Sequence, residues 1–115
     1  MKKLLLTFGF LLISFLAFSQ KSPCKDDVCV VQFNANWNSA NDVEWVKDLS
    51  DCGIKYIDIA NNTEAQAKYE IVVVPTIIVF NGKEVKRFQA DISFAMKATK
   101  KDVQEIIDEI LMDQF

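Results

Sequence analysis

The residues of this chain best suited to chemistry are its three cysteines, Cys24, Cys29 and Cys52. Three thiols can form one disulfide and leave one thiol over. Cys29 lies within a strand-like apolar run, so its simplest role is that of a small buried hydrophobic residue. Cys24 lies in the polar segment before that run, and Cys52 lies in a turn that contains Gly53. We expect a structural bridge that includes Cys52, with its partner left open between Cys24 and Cys29.

The N-terminus has the pattern of a secretory signal peptide. Lys2 and Lys3 give a positive start, residues 4–18 are almost all apolar, and Ala17 and Ser19 supply the small residues of a cleavage site. The alternative is a membrane anchor, but the apolar run is shorter than the roughly 20 residues that span a bilayer. We expect a signal peptide at residues 1–19, one domain at residues 20–115, and a periplasmic or secreted protein. Disulfides form in such compartments.

Composition excludes several classes of function. The chain has no histidine and only three glycines, so the commonest general base and the glycine-rich phosphate loops are absent from its sequence. Without Lys2 and Lys3 the basic residues fall from 13 to 11 against 16 acidic residues, a net charge of about −5 with no basic cluster. Nucleic acid is therefore an improbable partner. No metal site and no cofactor are expected.

Hydrophobic patterning predicts an α/β domain. Strands are expected at residues 28–34, 54–59 and 84–88, with another apolar strand ending near residue 80. Helices are expected from Ser39 or Asn41 to Asp51, at residues 63–70, and after Thr99, where a capping pattern precedes a one-faced amphipathic repeat. The order is β-α-β-α-β-β-α, a mixed four-stranded sheet with helices on both faces. The first two strands should be parallel, because a helix connects them.

The first strand ends in a familiar motif. The pattern Phe33-x-Ala35-x-Trp37 resembles the active-site strand of the thioredoxin family, in which an aromatic residue, Ala and Trp lead into Cys-Gly-Pro-Cys. Those four positions here read Asn38-Ser39-Ala40-Asn41. An amide can neither attack a disulfide nor resolve a mixed disulfide, so this loop cannot perform the family's thiol chemistry.

A second part of the resemblance lies in residues 67–80. Their centre, Val74-Pro75-Thr76, is similar to the thioredoxin loop that carries a cis proline, and Asn81-Gly82 matches the family's last hairpin. The resemblance implies a minimal thioredoxin-like fold over residues 28–88, with the terminal helix matched by pattern alone. It also implies that the peptide bond before Pro75 is cis.

The departures from the family pattern concern the redox site. Gln32 stands where thioredoxins bury an Asp, and Asn34 replaces an aromatic residue near the site. Since the family resemblance places substrate peptides beside the cis-proline loop, it implies a peptide-binding surface. The candidate residues for this surface are Trp37, Val73, Val74 and Pro75. We expect Trp37, Val74 and Pro75 to form one exposed apolar site.

Two functions follow as hypotheses. The main prediction is an exported, non-catalytic binding or accessory module that recognises extended segments of a protein or peptide partner and has no redox activity. The alternative is a thiol-disulfide oxidoreductase that uses a displaced cysteine pair among Cys24, Cys29 and Cys52. The four residues between Cys24 and Cys29 argue against the alternative, because the usual low-pKa thiol depends on a two-residue spacing at a helix N-terminus.

Overall fold

A computed structural model describes residues 21–114 as one four-stranded sheet with helices packed on both of its faces. The strands are β1 (Val28–Asn34), β2 (Gly53–Asp58), β3 (Thr76–Asn81) and β4 (Lys83–Gln89), and their order across the sheet is β2, β1, β3, β4. Two short 3-10 helices, Asn36–Asn41 and Glu44–Asp48, follow β1. Helix α1 (Thr63–Lys68) follows β2, and α2 (Lys100–Asp113) is the last element.

Strand pairing makes the sheet mixed, as predicted. β1 pairs with β2 in parallel and with β3 in antiparallel, so Cys29 lies between Gly53 on one side and Phe80 on the other. β3 and β4 form an antiparallel hairpin whose turn residue, Gly82, has a φ of 79°, a conformation that glycine adopts without a steric cost. The predicted fold class is confirmed.

Strand β1 is the centre of the core, and all of its residues are buried. Because side chains alternate along a strand, Cys29, Val31 and Phe33 point to one face, where they pack with Tyr69 and other residues near α1. The Phe33 and Tyr69 ring centroids are 5.3 Å apart. Val28 and Val30 belong to the cluster on the opposite face, which the 3-10 segments and α2 cover.

The continuous helix predicted from Ser39 or Asn41 to Asp51 does not form. The chain is instead extended at Val43, with φ −86° and ψ 99° between the two 3-10 helices. The Gln32 side chain holds Val43 there: its Oε1 accepts from the Val43 N–H at 2.7 Å, and its Nε2 donates to the Val43 carbonyl at 3.1 Å. These bonds use the backbone groups that a helix would need.

The remaining helices begin at polar caps. Thr99 and Asp102 form the predicted capping box at the start of α2. Helix α1 begins after Asn62, whose side chain accepts from the Ala65 N–H at 3.0 Å. Val103, Ile107 and Ile110 bury the apolar face of α2.

Within residues 21–114, no helix has both the length and the apolar character needed to cross a membrane. The predicted signal peptide, residues 1–19, lies outside the described residues.

Candidate functional site

The loop after β1 is held together by amide side chains. Asn38 Nδ2 donates to Asn34 Oδ1 at 3.0 Å and lies 3.5 Å from the Val74 carbonyl oxygen, and Asn41 Nδ2 donates to Asn38 Oδ1 at 2.8 Å. Asn34 and Asn38 are buried, and their polar atoms all have partners. Neutral amides that satisfy one another in this way stabilise a buried loop. Asn38 and Asn41 contribute no nucleophile.

A carboxylate and a phenol border this amide network. Asn34 Nδ2 and the Tyr56 hydroxyl both donate to Asp42 Oδ1, the latter at 3.1 Å. Burial first, then the hydrogen bond and the charge of Asp42, raise the pKa of Tyr56 to about 12. Tyr56 therefore stays a neutral hydrogen-bond donor at physiological pH.

The residues predicted to bind peptide do not form one exposed surface. Trp37 is 66% exposed and makes an edge-on contact with Phe94, at 5.7 Å between ring centroids. Val74 and Pro75 are buried, and Val73 is half-buried. The Val74–Pro75 peptide bond is cis, the isomer that the resemblance implied. The expectation that Trp37, Val74 and Pro75 share an exposed site was wrong, because β3 begins directly after Pro75 and draws this segment into the core.

The disulfide joins Cys24 to Cys29, with 6.2 Å between the Cα atoms. Cys52 is a free, half-buried thiol. The expectation of a bridge through Cys52 was therefore wrong. Cys52 does not form the bridge because side chains on the two faces of a pleated sheet point away from each other. Cys24 and Cys29 pack on the face that carries Phe33, whereas Cys52 packs against the cluster on the opposite face.

The two bonded cysteines differ in accessibility. Cys29 has no exposed surface, whereas Cys24 is half-buried in the lead-in segment (residues 21–27). Hydrogen bonds place this segment: the Ser22 N–H donates to the Gly82 carbonyl at 3.0 Å, and Lys55 Nζ donates to the Pro23 carbonyl at 3.3 Å. A reagent that approaches from solvent therefore meets the sulfur of Cys24 before that of Cys29.

The free thiol of Cys52 is kept protonated. Burial raises its pKa, and the negative charges of Asp51 and Asp26 raise it further. Because the thiolate is the nucleophilic form, Cys52 is a poor attacking group at neutral pH.

The disulfide lies at the amino end of β1, and the Asn38-Ser39-Ala40-Asn41 loop follows the carboxyl end. Cys29 and Asn34 are five positions apart on the strand, roughly 17 Å at the usual rise per residue. A displaced pair of Cys24 and Cys29 was the alternative drawn from the sequence, whereas the main prediction assigned no redox activity to the protein. Among residues 21–114, no group of three potential ligands could hold a metal ion.

The fold and its comparisons define the class: the chain has a thioredoxin-like fold. It is similar to a thioredoxin of Schistosoma mansoni, at 26% identity and a TM-score of 0.58 over 85% of each chain. It is also similar to a thioredoxin of Fasciola hepatica, at 27% identity and a TM-score of 0.52 over 86% of this chain and 89% of that one. No family model matches the sequence, and no curated protein matches it.

These findings overturn the prediction of a binding module without redox activity. That prediction relied on the missing thiols at Asn38 and Asn41. The Cys24–Cys29 disulfide, in a chain similar to thioredoxins at 26% and 27% identity, favours the alternative with a displaced cysteine pair over that prediction. Asn38 and Asn41 follow the carboxyl end of β1, whereas the bonded Cys24 and Cys29 lie at its amino end.

Proposed function

We propose that this protein is a thioredoxin-like thiol-disulfide oxidoreductase whose redox pair is Cys24 and Cys29. The observation that carries the proposal is the disulfide itself, which joins a half-buried cysteine to a fully buried one in a thioredoxin-like fold. Pairing an accessible sulfur with a buried one suits thiol-disulfide exchange, because only the accessible sulfur then reacts directly with the substrate.

The exchange balances with a dithiol substrate as the reductant. A substrate thiolate attacks Cys24 Sγ, forming a mixed disulfide while the Cys24–Cys29 bond breaks and Cys29 leaves as a thiolate. The second substrate thiol, once deprotonated, attacks the substrate sulfur of the mixed disulfide and releases Cys24 as a thiolate. The two protons lost by the substrate end on Cys24 and Cys29. In the reverse reaction, the reduced Cys24–Cys29 pair reduces a substrate disulfide.

The burial of Cys29 supports its role as the resolving residue. Its side chain lies among apolar residues of the core, so a substrate cannot reach it directly. An intramolecular attack by Cys29 on a mixed disulfide at Cys24 needs no substrate access, because the two Cα atoms are already 6.2 Å apart.

The position and protonation of Cys52 support its exclusion from this cycle. It packs on the other face of the sheet, and its raised pKa disfavours the thiolate. Export of the domain, predicted from residues 1–19, would place the Cys24–Cys29 pair in an oxidising compartment.

Trapping the mixed disulfide tests the proposal. Cys29→Ala in a Cys52→Ala background leaves Cys24 as the single thiol of the domain and keeps the core apolar. We expect it to capture an unfolded disulfide-containing protein as a stable adduct at Cys24. The matched variant with Cys24→Ala and Cys29 retained should give little adduct. Equal adduct yields from the two variants, or none from either, would contradict the proposal.

A further inference from the structure

A cleft of about 230 Å³ opens beside the lead-in segment on the face of the sheet that carries the disulfide. Pro23, the residue before Cys24, lines it together with residues of α1. The buried residues Ile57, Ala65 and Tyr69 line its apolar floor. Cys24 packs against the cluster that contains these three residues. The cleft is therefore bordered by the residue that precedes Cys24 and lies on the face of the sheet on which Cys24 packs.

Two lysines border the cleft. Lys55 Nζ donates to the Pro23 carbonyl at 3.3 Å, so its ammonium group contacts the residue that precedes Cys24. Lys68 Nζ lies 5.3 Å from the centroid of the Tyr69 ring, in a cation-π contact. Glu64 supplies the one carboxylate among the lining residues, which leaves the rim with one excess positive charge.

The acidic residues between the two cysteines belong to a different cleft. Asp26 and Asp27 line a separate depression together with Asp51 and Cys52. The Asp26 side chain lies against Gly53, so close that a Cβ at Gly53 would collide with it. The negative charges of the disulfide loop are therefore directed away from the cleft that Lys55 and Lys68 border.

We propose that this cleft binds the carboxylate-bearing part of a thiol substrate, so that the Cys24–Cys29 pair exchanges preferentially with acidic thiols. This inference rests on the function proposed above and adds the substrate class. The apolar floor accepts the methylene groups of such a substrate, and the ammonium groups of Lys55 and Lys68 attract its carboxylate. The volume suits a short side chain or a small thiol rather than a large ligand.

The reaction step is the same for any monothiol. The substrate thiolate attacks Cys24 Sγ, and Cys29 leaves as a thiolate that takes up the proton released by the substrate. A second molecule of the same thiol then reduces the mixed disulfide, giving the substrate disulfide and the Cys24 thiol. Attraction between opposite unit charges about 4 Å apart in water changes a rate or binding constant about fivefold. Each lysine should therefore change the rate of exchange with an anionic thiol by up to about fivefold at low salt.

The test compares three thiols as reductants of the oxidised protein: glutathione, which is anionic, 2-mercaptoethanol, which is neutral, and cysteamine, which is cationic. Rates of Cys24–Cys29 reduction are followed by alkylation and mass spectrometry and are corrected for the thiolate fraction of each reagent. We expect glutathione to react fastest and cysteamine slowest. Lys55→Gln and Lys68→Gln should each lower the ratio of the glutathione rate to the 2-mercaptoethanol rate about two- to fivefold, because only glutathione carries the carboxylates that the lysines attract. High salt should remove the preference.

Lys86→Gln is the matched control, because Lys86 is an exposed lysine on β4, at the other edge of the sheet from Lys55. It should alter none of the three rates. Equal corrected rates for the three thiols, or equal effects of Lys55→Gln and Lys86→Gln, would overturn the substrate class while leaving the exchange function standing. A disulfide that none of the three thiols reduces in the folded protein would overturn both.

Discussion

Gln32 binds both backbone polar groups of Val43, accepting from its N–H at 2.7 Å and donating to its carbonyl at 3.1 Å. Both residues are buried. Gln104 makes the same pair of bonds to Ser50, at 2.9 and 3.1 Å, but in an exposed position. The chain thus contains two equivalent side-chain bridges that differ mainly in their access to water.

Gln32→Leu should lower the free energy of unfolding by about 1–3 kcal/mol, because it leaves the buried Val43 N–H without a partner. The Val43 carbonyl would keep only the 3.4 Å bond that it accepts from the Val46 N–H. Gln104→Leu, the matched control, should cost less than about 0.5 kcal/mol, because water replaces the lost bonds. Urea unfolding of both variants measures the difference. Equal losses would show that the Gln32 bridge does not determine the conformation at Val43.

Reduction of the Cys24–Cys29 disulfide should lower the free energy of unfolding by about 2 kcal/mol, the chain-entropy value for so short a loop. The measurement is urea unfolding with and without reductant, in a Cys52→Ala background so that only one redox change occurs. The reduced protein should still unfold cooperatively, since the reverse reaction of the proposed cycle needs a folded dithiol form. Loss of the folded state on reduction would argue for a purely structural disulfide.

Cys52 should be alkylated slowly at neutral pH, because burial and the charges of Asp51 and Asp26 raise its pKa. A raised pKa means that the thiolate appears at a higher pH than in the unfolded chain. The rate should therefore rise with pH beyond the range of an ordinary thiol. Asp51→Asn should lower the pKa and speed the reaction at pH 8, whereas Asp48→Asn should do so less. An iodoacetamide rate profile on the oxidised protein, in which Cys52 is the free thiol, decides between these outcomes.

The fold could be predicted because its sequence signals are local and consistent. The bounds of β1 at Val28–Asn34 follow from one apolar run, and the start of α2 follows from the capping box of Thr99 and Asp102. The helix expected after Ser39 could not be excluded from the sequence, because the bonds that prevent it come from Gln32, eleven residues before Val43. Such a tertiary contact has no local signature.

The candidate site was harder to predict for a similar reason. The positions of Cys24, Cys29 and Cys52 in the sequence leave the bridge open, and the faces of the sheet on which they pack decide it. The burial of Val74 and Pro75 likewise depends on how the chain enters β3, which the cis-proline pattern does not specify. From the sequence, only the alternation of Cys29 with Val31 and Phe33 indicated the face of the sheet on which the Cys29 side chain packs.

If the proposed function is right, Cys24 and Cys29 carry out thiol-disulfide exchange in the folded protein. The measurement is catalysed reduction of insulin by dithiothreitol. It compares the parent protein with Cys24→Ala, Cys29→Ala, Cys52→Ala and a variant that lacks all three cysteines. We predict turnover for the parent and for Cys52→Ala, and at least a tenfold loss for Cys24→Ala and for Cys29→Ala. Parent turnover no greater than that of the variant lacking all three cysteines, or turnover that survives Cys24→Ala, would contradict the account.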